Sequence, residues 1–238
     1  MSHYYQTNAI TLSRQDAREN DRVFSFYTEG HGKVLAQVTS AKKIKSRLSG
    51  HLEPFGIVEI GVVKGIRKNR LASARAKNRY ENIFKNIEKI FCAGYCLRLV
   101  DEIVREGVSD NKIYTLLHSG LKTLDTQEIN GSIKIFNAIF TVKLLAILGY
   151  QPQVENCIGC AKPLIDGNNI FSIKRGGVVC AQCADALDSG TRVCPNDIKL
   201  LRLVLRLEMI DILKLRASAS VFKKFNTIVA EFLKFHLH

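Results

Sequence analysis

The sequence predicts an α+β chain: a small β-barrel in the first third, then an α-helical bundle with a cysteine-rich module set into it. Three observations carry this expectation. Residues 1–79 contain short β-branched or aromatic segments separated by turn residues. From Tyr80 onward, apolar residues recur at spacings of three and four. Residues 156–194 break that helical rhythm with a stretch containing Cys and Gly.

Taken in order, the strand candidates are Ala9-Ile10-Thr11-Leu12, Val23-Phe24-Ser25-Phe26-Tyr27, Val34-Leu35-Ala36-Gln37-Val38 and Ile57-Val58-Glu59-Ile60-Gly61-Val62-Val63. Glu29-Gly30-His31-Gly32-Lys33 fits a hairpin connection between the second and third. Ile83, Phe84, Ile87, Ile90, Phe91, Gly94, Tyr95 and Leu97 then mark one face of a half-buried helix. Further helical stretches cover residues 112–124, 132–148, 196–215 and 221–237. Ser109-Asp110 and Asn196-Asp197 supply the short polar side chains that start helices. The resulting division is residues 1–79, a barrel domain, and residues 80–238, a helical domain carrying the inserted module at 156–194.

Composition narrows the function classes. The 238 residues carry 35 Lys+Arg against 22 Asp+Glu, a net charge of +13, with 46% hydrophobic content. No apolar run approaches the roughly 18 residues needed to span a bilayer. Met1-Ser2-His3-Tyr4 shows neither the basic nor the apolar region of a secretory leader. A soluble cytoplasmic protein is the expectation. The charge is uneven: residues 1–79 hold 15 basic and 6 acidic side chains, the other 159 residues 20 and 16. An excess concentrated in this way points to a polyanionic partner.

Four of the seven cysteines form Cys157-x2-Cys160 and, nineteen residues later, Cys180-x2-Cys183. A CxxC turn brings two thiolates to one ion, and two such turns complete a tetrahedron of soft ligands. The expectation is one structural Zn2+ held by Cys157, Cys160, Cys180 and Cys183. Ala161 follows Cys160 at the position where a glycine would relax the turn most easily. Cys92 and Cys96, four residues apart, read as buried apolar side chains. Cys194-Pro195 reads as a structural exit from the module, with a spare metal ligand as the alternative.

Catalytic patterns are missing. Gly30-His31-Gly32-Lys33-Val34 lacks the upstream glycine and the hydroxyl of a phosphate-binding loop. His51-Leu52-Glu53 lies more than a hundred residues from the CxxC that a deaminase would need beside it. A non-enzymatic protein is therefore expected. Two basic runs stand out instead. Lys42, Lys43, Lys45 and Arg47 fall within six residues; Lys64, Arg67, Lys68, Arg70, Arg75, Lys77 and Arg79 follow with no acid among them. Cations on a small barrel form the groove expected of a protein that tracks a nucleic-acid backbone. Phe24 and Phe26 share a strand face and read as core, whereas Tyr27 and Phe55 are the better candidates to stack on bases.

Several segments resemble the RecO family of bacterial DNA-repair and recombination-mediator proteins. They are residues 19–33; Lys45-Ser46-Arg47-Leu48-Ser49-Gly50-His51-Leu52-Glu53-Pro54-Phe55; and Leu144-Leu145-Ala146-Ile147-Leu148-Gly149-Tyr150-Gln151-Pro152 with the two CxxC turns behind it. The resemblance implies an N-terminal OB-fold barrel, a helical domain and a zinc module. It further implies binding of single- and double-stranded DNA, annealing of complementary strands, and partnership with RecR and the acidic C-terminal tail of single-strand-binding protein, so that RecA loads at gaps. It places Lys42, Lys43, Lys45 and Arg47 in a DNA-contacting loop, and Lys64, Arg67, Lys68 and Arg70 join them from the second basic run. An RNA-binding barrel and zinc protein of translation or ribosome assembly would share the same electrostatics.

Overall fold

The computed structural model describes residues 3–17, 21–39, 49–129, 133–164, 167–184, 190–212 and 214–237. They form two compact units, Met1–Ile129 and Asn130–His238. No helix among the described residues is long and apolar enough to cross a membrane.

Five strands build the first unit: β1 (His3–Asp16), β2 (Arg22–Thr28), β3 (Gly32–Val38), β4 (Gly56–Lys64) and β5 (Asn69–Arg79). They close into a barrel in the order β1-β2-β3-β5-β4, with β4 returning to β1. Closure removes the open sheet edges on which strands aggregate. β1 makes it possible: its first half pairs with β4 and its second half with β2, and the register shifts between Thr11 and Ser13. The parallel pairing of β3 with β5 is short, joining Ala36 to Asn69 and Gln37 to Arg70.

Alternation sends Ala9, Phe24, Phe26, Ala36, Val38, Val58, Ile60, Val62 and Leu71 into the barrel core. Phe24 and Phe26 lie two apart on one strand with ring centroids 6.0 Å apart, in keeping with their reading as core. The β2–β3 turn depends on Gly32, whose φ is +66° and where a Cβ would stand 2.0 Å from the Val108 carbonyl oxygen.

Strands give way to helices after Arg79. α1 (Glu81–Phe84), α2 (Ile87–Ile103) and α3 (Asn111–Thr126) complete this unit, and α2 and α3 pack against β1. Asp110 caps α3, its side chain accepting from the Lys112 N–H at 2.8 Å. Near the end of α2, Asp101 ties the helix to three strands. Ser13 and Ser25 each donate a hydroxyl hydrogen bond to its carboxylate at 2.6 Å, and the Lys33 Nζ lies 2.9 Å away. Burial works to raise the Asp101 pKa, but these donors overcome it and hold the carboxyl below its ordinary value.

In the second unit, α4 (Ile133–Ile147), α6 (Pro195–Arg206) and α8 (Ala219–Leu237) pack together around Phe136, Phe140, Leu144, Leu201, Ile228 and Phe232. Between α4 and α6 come β6 (Asn169–Ser172), β7 (Gly177–Val179), a four-residue helix α5 (Ala181–Ala184) and β8 (Thr191–Val193), the strands ordered β7-β6-β8.

The stretch expected as one helix over 196–215 is divided into α6 and α7 (Met209–Ile212). Leu207 adopts an extended conformation, and Lys143 Nζ donates to its carbonyl at 2.6 Å, satisfying an acceptor that the interrupted helix leaves free. The start of α6 also differs from expectation. Cys194 is the N-cap residue and Pro195 the first helical residue, while Asp197 accepts from the Cys194 N–H at 2.8 Å from within the first turn.

Candidate metal centre and nucleic-acid interface

The described residues place two groups of the expected functional side chains: the four module cysteines and the cations of the β4–β5 turn. Each follows from local backbone geometry.

The first CxxC is a tight knuckle. The Cys157 N–H donates to the Lys162 carbonyl at 2.9 Å and the Ala161 N–H to the Cys157 carbonyl at 2.8 Å. Ala161 takes φ = +59°, the left-handed conformation that its position after Cys160 had suggested. Gly159 is the residue that spacing alone did not single out: a Cβ there would lie 3.1 Å from Cys183 Cβ and 3.2 Å from its sulfur. Its C-x-G-C setting was the available signal. The second CxxC begins where β7 ends, at Cys180, and closes with the Cys183 N–H donating to the Cys180 carbonyl at 3.0 Å.

Together the two turns bring the sulfurs of Cys157, Cys160, Cys180 and Cys183 within 4.8 Å of one another, and all four are free thiols. Tetrahedral coordination at a metal–sulfur distance of about 2.3 Å requires sulfur–sulfur separations of about 3.8 Å. The Cys160 and Cys180 sulfurs are 3.9 Å apart, so the cluster fits such an ion with little adjustment.

Two of the thiols are pulled in opposite directions. Burial raises the Cys157 pKa, but N–H groups outweigh it and lower the pKa overall; those of Gly159 and Cys180 each lie 3.3 Å from the sulfur. Hydrogen bonds that the Cys183 thiol donates to Cys180 and Cys160, together with the charge of Cys157, push the Cys183 thiol up. Cys183 therefore resists ionisation beside Cys157 until a cation compensates the charge. Cys92 and Cys96 lie buried in α2, their thiols raised by burial, and Cys194 is exposed at the start of α6. None of these three belongs to the cluster.

The cations of the β4–β5 turn occupy one end of the barrel. Lys64 ends β4, Arg67 and Lys68 lie in the connecting turn, and Arg70 is near the start of β5. Among the described residues none of the four forms an ion pair, whereas Arg75 and Lys77, farther along β5, both reach Glu59, at 3.5 and 2.8 Å. The hydrogen bond from Lys77 is the main reason the Glu59 pKa is lowered. Uncompensated charge therefore collects at the turn.

The turn is anchored. Gly65 closes it so tightly that a Cβ there would meet the Lys68 carbonyl oxygen at 2.2 Å, and Asn69 Nδ2 donates to the Leu35 carbonyl at 3.0 Å. Beside it opens a cleft of about 510 Å³, lined by Val23, Leu35, Lys64, Arg67, Lys68 and Glu106 among others.

Lys42, Lys43, Lys45 and Arg47 lie outside the described residues. Tyr27 and Phe55 do not serve as exposed platforms. Tyr27 is fully buried with its hydroxyl donating to the Asp110 carbonyl at 3.0 Å, and Phe55 is buried with its ring centroid 5.3 Å from that of Phe84. Strand alternation could not foresee this, because α1 and α3 cover faces that a bare barrel would leave open.

Comparison with known proteins covers nearly the whole chain. The family pattern described as "Recombination protein O N terminal" matches residues 1–78, and "Recombination protein O C terminal" matches residues 85–238. The chain is similar to the DNA repair protein RecO of Thermoanaerobacter sp. (strain X514), 25% identical over 232 residues that span 98% of this chain and 92% of the relative. The DNA repair protein RecO of Dehalococcoides mccartyi (strain CBDB1) is 28% identical over 236 residues, 99% of this chain and 91% of the relative. That of Roseiflexus sp. (strain RS-1) is 32% identical over 181 residues, 76% and 62% respectively.

Proposed function

The chain belongs to the RecO family of recombination proteins, and from that premise we propose that it is a DNA-repair and recombination mediator. Family membership supports the repair and recombination role. On this reading it binds single- and double-stranded DNA and anneals complementary strands. With RecR it helps load RecA onto DNA coated with single-strand-binding protein, engaging that protein's acidic C-terminal tail.

The observation that carries the DNA contact is the set of uncompensated cations, Lys64, Arg67, Lys68 and Arg70, at one end of a closed five-stranded barrel. We read the barrel, residues 1–79, as an OB-fold; its strand order supports this. Annealing requires two strands held through their phosphates with their bases free to pair. Charge contacts provide that without reading sequence. Lys42, Lys43, Lys45 and Arg47 are further phosphate contacts on this reading.

On this reading residues 80–238 are the helical domain, carrying the module at 156–194, although the domain's first three helices, α1 to α3, lie in the compact unit of the barrel. Cys157, Cys160, Cys180 and Cys183 would hold one Zn2+, and four thiolate ligands leave no coordination position for a substrate. On this reading the ion's role is structural, and the protein acts without catalysis, in the cytoplasm and on the nucleoid.

The test is annealing of complementary oligonucleotides already coated with single-strand-binding protein, without nucleotide. Acceleration over the coated strands alone is expected. Binding to DNA with no acceleration would reject the mediator role while leaving the DNA contact standing.

A further inference from the structure

Ile66 stands at the tip of the β4–β5 turn with a relative exposure of 107%, so its side chain touches almost nothing of the protein. A single exposed apolar residue is ordinary on a protein surface. This one differs in its setting. Gly65 locks the turn on one side and the Asn69–Leu35 hydrogen bond on the other, so the tip is held out on a fixed base. Three cations, Lys64, Arg67 and Lys68, surround it within the same five residues and form no ion pair among the described residues. Its β-branched side chain has little rotamer freedom to lose on burial.

An apolar point on a rigid base, ringed by positive charge, matches the chemistry by which proteins open a step between stacked bases. We propose that Ile66 is a base-step wedge: it inserts between two stacked bases of bound nucleic acid while Lys64, Arg67 and Lys68 grip the flanking phosphates. This rests on the DNA-binding reading above and adds to it a residue that acts on stacking rather than on charge. Glu106 lines the same cleft as Lys64, Ile66, Arg67 and Lys68, its carboxylate 3.4 Å from the Leu35 N–H. A locally unstacked step is also what a strand needs before its bases can exchange partners, which links the wedge to annealing.

The test uses the full chain and a panel of oligonucleotides, single-stranded and duplex, each with one 2-aminopurine, whose emission rises when it is unstacked. Affinity is followed separately by anisotropy of an end label. Wild-type protein should raise 2-aminopurine emission at one position of the bound site. Ile66→Ala should abolish most of that rise and weaken binding about tenfold, the scale of one lost base contact, with the salt dependence of binding unaltered. Ile66→Leu should restore the rise. Arg67→Ala with Lys68→Ala should show the converse, a shallower salt dependence with the rise retained at saturating protein.

Thermal unfolding of Ile66→Ala at the wild-type temperature would show that the variant is folded. Wild-type binding with no emission rise at any position would overturn the wedge alone, as would an undiminished rise in folded Ile66→Ala. No wild-type binding at low ionic strength would overturn both the wedge and the DNA-binding reading beneath it.

Discussion

Replacing Cys180 with Ala removes one of four thiolates from a cluster whose sulfurs lie within 4.8 Å of one another. The consequence follows from the geometry around it. Cys180 directly follows β7, its N–H lies 3.3 Å from the Cys157 sulfur, and its own sulfur is 3.9 Å from that of Cys160. The backbone remains when the side chain goes, so the knuckles keep their hydrogen bonds while a bound ion would lose a ligand. Structural zinc sites with four ligands bind with apparent free energies of about 10–16 kcal/mol at neutral pH. One ligand's share is then about 2.5–4 kcal/mol, or two to three orders of magnitude in affinity.

Because binding stabilises the folded module by mass action, the same loss should appear as local destabilisation. The assay is elemental analysis of protein purified without chelator, followed by competition against a colorimetric zinc chelator and hydrogen exchange. Wild-type protein should hold about one equivalent and Cys180→Ala should yield its metal to far weaker competitors. Amide exchange should accelerate in residues 156–194 and stay unchanged in the barrel strands. Less than about half an equivalent in the wild type, or equal retention by Cys180→Ala, would refute the four-thiolate reasoning.

Other substitutions probe the remaining elements. Asp101→Asn should destabilise the protein by about 1–2 kcal/mol at pH 7, since it weakens three bonds to a charged acceptor. Because the folded pKa of Asp101 is depressed, that advantage is full above the unfolded value of about 3.9. It should disappear as the pH falls through the folded value, and chemical denaturation across this range will show the wild-type and variant midpoints converging only there. Ala161→Gly should stabilise the module by about 0.5–1 kcal/mol, the relief of a left-handed alanine less the added freedom of an unfolded glycine, as read from a melting curve. Removing Lys42, Lys43, Lys45 and Arg47 together should flatten the salt dependence of single-strand binding by about 0.7 per lost phosphate contact; an unchanged slope would exclude that run from the interface.

Periodicity revealed most of the architecture. Turn residues around Gly30 and Gly32 located the β2–β3 hairpin, and spacings of three and four located α2 through α4. β5 was read only as a basic run, because Arg70, Arg75, Lys77 and Arg79 with intervening alanines show no apolar alternation; the strand is largely exposed and only Leu71 is buried. β1 extends well beyond Ala9–Leu12, since its polar ends are held by pairing with β2 and β4 and not by their own apolar content. The division of α6 from α7 depends on Lys143, 64 residues away in sequence, which no local window contains.

The cysteine cluster was legible from spacing because a CxxC turn is a local structure. The difference between Arg75 and Lys77, paired to Glu59, and the uncompensated cations of the turn was not, because it depends on which strand faces which.

The central claim is that charge gathered on the barrel holds a phosphate backbone. It is tested most directly by the affinity of the wild-type protein for a single-stranded oligonucleotide across a salt series. If Lys64, Arg67, Lys68 and Arg70 each neutralise a phosphate, log affinity should fall linearly with log salt concentration at a slope of about 3 or steeper. A slope near zero, or no binding at low salt, would contradict the claim.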